Sequence, residues 1–129
     1  MADINAYVEE LARNAKEASR SLGFASDEAR RAAVRAMAAS LRQRADEVLE
    51  ANAIDMDAAR AAGTSEGLLD RLLLTPERVE GMAVGLDKLA DLPDPVGRVL
   101  DERDISEGVH LRRVSVPLGL VAMVYEARP

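Results

Sequence analysis

The sequence predicts an α/β chain in which helices come first and strands last, and three observations carry that expectation. Of 23 alanines, 21 lie at or before Ala90, whereas 7 of the 12 valines lie from Val96 onward. Alanine favours helix because it loses no side-chain entropy there, while β-branched valine is restricted in a helix and packs well on a pleated surface. Pro93 and Pro95 mark the change, since proline interrupts the helical hydrogen-bond ladder. Leu118 to Tyr125 is then apolar without a break, the pattern of a central strand covered on both faces, as in a parallel sheet.

The elements follow in order. Ile4, Val8, Leu11, Ala15, Ala18 and Leu22 recur at spacings of three and four, which predicts one helical stripe ending near Gly23. Ser26-Asp27-Glu28 offers a capping oxygen and negative charge to the start of a second helix, whose pattern persists to Ala62 with a break expected near Ala45-Asp46. Gly63 suits a left-handed C-terminal cap. Leu68, Leu69, Leu72 and Leu73 suggest one short helix capped by Thr64 or Ser65. Thr75-Pro76-Glu77 is a specific start signal for a helix running to about Ala90: the hydroxyl caps, proline fits the first helical position, and the carboxylate meets the dipole. From Gly97 to Ile105 and Val109 to Val116, around a turn at Ser106-Glu107-Gly108, the pattern is an antiparallel hairpin. Its apolar residues change from odd to even positions across Arg112-Arg113, where a β-bulge or a change of pairing partner is expected.

Composition narrows the function. With 17 basic and 23 acidic side chains the net charge is −6, which disfavours phosphate backbones and anionic lipid, so nucleic acid and membrane are not expected partners. There is no cysteine, which removes disulfides, zinc-thiolate sites and thiolate nucleophiles from these residues. The first residues lack the basic segment and apolar run of a signal peptide, and a cytoplasmic location is expected.

Chemistry-bearing motifs are sparse. There is no glycine-rich phosphate loop, no Ser/His/Asp arrangement and no metal-ligand spacing. His110, the one histidine, alternates with Val109 and Leu111 and is read as a solvent-facing strand residue with no assigned role. Asp101, Glu102 and Asp104 are read as a solvated hairpin edge rather than an acid/base or metal site. Arg30, Arg31, Arg35, Arg42 and Arg44 form a basic block followed by the acidic Asp46, Glu47, Glu50, Asp55 and Asp57. They could hold a phosphate, but complementary solvated helix faces are the preferred reading. Tyr125-Glu126-Ala127-Arg128-Pro129 falls at the carboxyl end of the apolar run, where open α/β sheets place their ligands; from the residues alone a ligand-lining segment and a plain charged strand exit are equal readings.

The string VPLGLVAMVYEARP, with upstream LLDRLLLTPERVEGMA, ANAIDMDAARAAG and LPDPVGRVLDE, resembles the N-terminal part of the gamma-glutamyl phosphate reductase (glutamate-5-semialdehyde dehydrogenase) family, within the aldehyde dehydrogenase superfamily. The resemblance covers nearly the whole chain in order. It implies NADPH-dependent conversion of gamma-glutamyl phosphate to glutamate 5-semialdehyde for proline synthesis, by a longer, homo-oligomeric enzyme whose catalytic cysteine is not among these residues. It further implies three parts: residues 1–92 as the helical entry to a cofactor domain, 93–117 as a hairpin of bridging or oligomerisation type, and 118–129 as the first central strand of an incomplete aldehyde-dehydrogenase-like cofactor domain. By the same resemblance Glu126, Ala127, Arg128 and Pro129 line the nicotinamide side of the cofactor cleft, no residue here is catalytic, and no metal is bound. The competing expectation is a stand-alone, alanine-rich helical interaction or oligomerisation module without catalysis. Against it stands the uninterrupted apolar segment near the C-terminus, whose unpaired edges would be an aggregation hazard in a complete module.

Overall fold

A computed structural model describes residues 4–124. Five helices precede a two-stranded antiparallel sheet, the order that the alanine-to-valine shift predicts. By internal contacts the described chain divides into two compact units, residues 4–30 with 92–122 and residues 31–91 with 123–124.

In the first unit, α1 (Ile4–Gly23) has the predicted amphipathic stripe but no buried residue; Ile4, Val8, Leu11 and Leu22 are all exposed. The chain then turns into α2 (Asp27–Gln43), where the Ser26 hydroxyl accepts a hydrogen bond from the Ala29 amide at 3.1 Å, as its capping role requires. Arg30, in the first turns of α2, donates to the Asp94 carboxylate at 2.6 Å and to the Ala25 carbonyl. Asp94 also accepts from the Val96 amide at 3.0 Å, so one carboxylate fixes the chain that leads into the hairpin. Ser115 closes the hairpin base: its carbonyl accepts from Gly97, its amide donates to Arg98, and its hydroxyl accepts from the Arg98 amide and donates to Pro95. Gly97 adopts φ +80° there, a conformation strained for any residue with a Cβ.

The hairpin consists of β1 (Val99–Ser106) and β2 (Val109–Val114), joined through Glu107 and Gly108 with Gly108 at φ +77°. Both strands are exposed along their whole length. The predicted irregularity exists but on the other strand. Pairing shifts between Val99 and Asp101, opposite Val114 and Arg113, and again between Asp104 and Ser106. The extra residues are Leu100 and Ile105 of β1, since a bulge needs an added residue on one strand only and β1 supplies it.

The expected strand from Leu118 does not form over residues 118–124; Tyr125 lies outside the described residues. Gly119 takes φ +86°, which breaks an extended run at its second residue, and no partner strand is present among the described residues to supply a ladder. Leu118, Val121, Met123 and Val124 are accordingly exposed, Val124 fully.

The second unit holds the core. Helix α3 (Ala45–Ala61) is separated from α2 at Arg44, whose φ −110°, ψ 21° leave the helical region, one residue before the expected break. Its C-terminus is closed as predicted by Gly63 at φ +74°. The Gly63 amide bonds the Arg60 carbonyl and the Thr64 amide bonds Ala59, the paired 5→2 and 6→1 bonds of a Schellman motif. The short α4 (Glu66–Leu72) starts after Ser65, which caps through its backbone carbonyl rather than its hydroxyl. Helix α5 (Pro76–Ala90) begins where Thr75 Oγ1 accepts from the Arg78 amide at 3.2 Å. Ala38, Met56, Leu69, Val79, Ala83 and Ala90 are buried, a small aliphatic core drawn from all four helices.

Candidate functional site

The residues expected to line a nicotinamide cleft, Glu126, Ala127, Arg128 and Pro129, lie outside the described residues. What the structure does bring together falls into three places.

The first is the interior of the helical unit. Asn52 of α3 is 5% exposed and uses both ends of its amide: Nδ2 donates to the Leu72 carbonyl at 2.9 Å and Oδ1 accepts from the Leu74 amide at 2.8 Å. It thereby satisfies backbone groups in the linker from α4 to α5 that burial would otherwise leave unpaired. Beside it runs an open groove of about 850 Å³, whose apolar lining includes Met37, Leu41, Val48, Leu74 and Met82. Glu47 and Asp55 stand on its border, and the Arg44 there already bonds Glu47 at 2.7 Å. These acids disfavour the phosphates of a dinucleotide at that border.

The second is the arginine block of α2. Sequence proximity suggests the acidic run of α3 as its complement, and only Arg44 with Glu47 follows that pattern among the described ion pairs. Arg42 instead reaches α5, bonding Glu80 and Asp87 each at 2.8 Å, and Arg35 bonds Asp91 at 2.8 Å. Arg31 donates to the Ala90 carbonyl at 2.6 Å, placing a cation at the negative end of the α5 dipole. The hydrogen bond from Arg42 holds the Glu80 carboxyl below its ordinary range, and Arg44 does the same for Glu47. Arginines engaged in this way form an interhelical brace, and the phosphate reading loses its donors.

The third is on the hairpin. Glu102 and Asp104 are two residues apart on one face of β1, and the register sets Asp104 opposite His110 and Glu102 opposite Arg112. His110 lies between the two carboxylates, Nδ1 at 2.7 Å from Asp104 and Nε2 at 2.6 Å from Glu102. These bonds, the Asp104 contribution first, raise its pKa above the ordinary histidine value. The sequence reading treated His110 and the three acids as separate solvated residues. Counting outward from the turn would have paired them, because a hairpin's turn determines its register. Among the described residues no group of three or more histidines and acids has the geometry to hold a metal ion, and no helix is long and apolar enough to cross a membrane.

Scaffold bonds account for these side chains, and the five helices followed by a hairpin define the chain as an α/β framework segment. Its relatives give that segment a particular place. The chain is 48% identical over 129 residues, all of its length, to the gamma-glutamyl phosphate reductase of Gluconobacter oxydans, and 44% identical over 127 residues to that of Methylocella silvestris. It spans about 30% of the length of each, and is the counterpart of their N-terminal part. Its fold matches crystal structures of the gamma-glutamyl phosphate reductases of Thermotoga maritima, with TM-score 0.79 and 36% identity, and of Saccharomyces cerevisiae, with TM-score 0.77 and 33% identity. These alignments cover 83% of this chain and 26% and 27% of those proteins. No protein-family model matches the chain. The likeness read from four sequence strings thus extends over the entire chain and into its fold.

Proposed function

We propose that the chain forms the N-terminal part of an NADPH-dependent reductase that converts gamma-glutamyl phosphate to glutamate 5-semialdehyde in the cytoplasmic synthesis of proline. The observation that carries this reading is 48% identity sustained across all 129 residues, joined to a TM-score of 0.79 against a solved reductase of the same name. NADPH supplies hydride when bound. The reading keeps the aldehyde dehydrogenase superfamily, a homo-oligomeric whole enzyme, and the three parts 1–92, 93–117 and 118–129. It also keeps Glu126, Ala127, Arg128 and Pro129 at the nicotinamide side of the cleft. The role of the described residues is to hold the segment leading to them: Asp94 and Ser115 secure the hairpin base, and Asn52 and the arginine brace hold α2 to α5 together.

Thiolate chemistry falls to residues outside this chain, because it contains no cysteine. Purified alone, the 129 residues should show no NADPH oxidation with gamma-glutamyl phosphate and no phosphate-dependent oxidation of glutamate 5-semialdehyde. The direct test is a chimera in which the chain replaces its counterpart in the Gluconobacter oxydans reductase. Restored semialdehyde formation supports the proposal; a folded chimera without turnover overturns it. In an active chimera, Arg128→Ala should raise KM for NADPH or for the acyl phosphate, and unchanged kinetics would remove the cleft assignment alone.

A further inference from the structure

We propose that Arg30 and Asp94 are positioning residues for assembly: their pair fixes the hairpin base to the α1–α2 turn, so that the hairpin meets a second subunit already oriented. This rests on the reading above of residues 93–117 as a bridging hairpin in a homo-oligomeric enzyme. The warrant is a closed frame at the hairpin base. The Arg30 guanidinium spans a gap, donating from Nη2 to Asp94 Oδ2 at 2.6 Å and from Nη1 to the Ala25 carbonyl. Ala25 lies in the turn between α1 and α2, and Asp94 in the leg that enters the hairpin. The second carboxylate oxygen, Oδ1, accepts from the Val96 amide at 3.0 Å, which sets the course of that leg within two residues. Ser115 ties the leaving leg to the entering one through Arg98 and Pro95. The leaving leg also rests on α1, where a Cβ on Gly23 would meet the Pro117 ring at 3.7 Å. Gly23, Arg30, Val96 and Pro117 border one small cavity of about 160 Å³, the point on which both legs and both sides of the turn converge.

Two properties give this pair its hold. Its side chains are 24% and 26% exposed, against 56% and 71% for Arg35 and Asp91, so water and salt screen it less than that surface pair. The planar guanidinium also keeps two acceptors at a fixed separation and angle, which the point charge of a lysine does not. A hairpin reaching a partner from a loose base would lose that freedom on association, and the ordering cost subtracts from affinity. A base fixed beforehand avoids it.

The experiment is sedimentation velocity over a dilution series of the chimera with the Gluconobacter oxydans reductase. Arg30→Met and Asp94→Asn should each raise the subunit dissociation constant roughly tenfold, the scale of one hydrogen bond to a charged group. The double variant should be no weaker than either single one, because both remove the same bond. Arg30→Lys should fall between wild type and Arg30→Met. Arg35→Met, which breaks an exposed pair away from the hairpin base, should leave association unchanged, so a general loss of helix stability is told apart from a loss of orientation. Folded Arg30 and Asp94 variants that associate like wild type, or a double variant whose effect is the product of the two single ones, would overturn the proposal and leave the bridging reading standing. An unsubstituted chimera that is monomeric at every concentration would overturn the bridging reading, and this inference with it.

Discussion

The helices α2 to α5 and the hairpin solve the same problem, holding chain segments together, by opposite means. The helical unit buries Val79 to 1% exposure and Ala38 and Ala83 completely, and ties a buried amide, Asn52, into the α4–α5 linker. The hairpin buries none of its strand residues and relies on its ladder, the Ser115 closure and facing charges. Burial is proportional to apolar area and largely indifferent to pH, whereas exposed charge pairs are weak and respond to protons and salt. One chain therefore contains a region that should fail by loss of packing and a region that should fail by loss of charge.

The largest effect should come from Asn52→Leu. It fills the space but leaves the Leu74 amide and Leu72 carbonyl without partners, at a cost of about 2–4 kcal/mol. Urea denaturation followed by helical circular dichroism measures it, and a loss confined below 1 kcal/mol would mean that the linker is not held by this amide. Thr75→Ala removes the α5 cap and should cost about 1 kcal/mol in the same assay, with the hairpin's 13Cα shifts unchanged.

Acid and base should separate the two regions. Glu80 and Glu47 have folded pKa values below their ordinary ones, through Arg42 and Arg44 respectively. Their contribution is present above the ordinary carboxylate range and is lost as pH falls through the lowered values, so the helical unit should weaken below about pH 4. His110 is shifted the other way: its contribution is complete below about pH 6.5 and is lost as pH rises through the raised value. Melting curves read separately by helix ellipticity and hairpin shifts should move in these opposite senses, and a common pH profile would break the comparison. The smallest effect belongs to Arg42→Ala. Its pairs with Glu80 and Asp87 are solvent-accessible, so a slight destabilisation that fades in high salt is expected.

Much of the secondary structure was legible because its causes are local. The start at Thr75-Pro76 and the stop at Gly63 each depend on bonds between residues no more than five apart, and the residue types suited to those bonds stand in the sequence. The candidate site was less so. Arg42 was next to an acidic run in sequence, yet its partners are on α5, 38 residues away in the case of Glu80. Charge pattern names which residues want partners, but several carboxylates satisfy that want equally until the helices pack. Asn52 had no signal at all among the polar residues of α3, because its role depends on backbone groups 20 and 22 residues further on.

Leu118–Val124 marks the same boundary from the other side. Its apolar composition was read as a central strand, but strand formation is a property of pairs, and with Gly119 at φ +86° and no partner among the described residues the segment forms no ladder. By itself the sequence determined the helices, their caps, the hairpin turn and the kinship with the reductases, since propensity, capping and motif all act within short stretches of chain. Only the tertiary structure decided which acids brace the α2 arginines, what Asn52 holds, and that His110 stands between two carboxylates, because each depends on the distance between atoms that packing or strand register brings together.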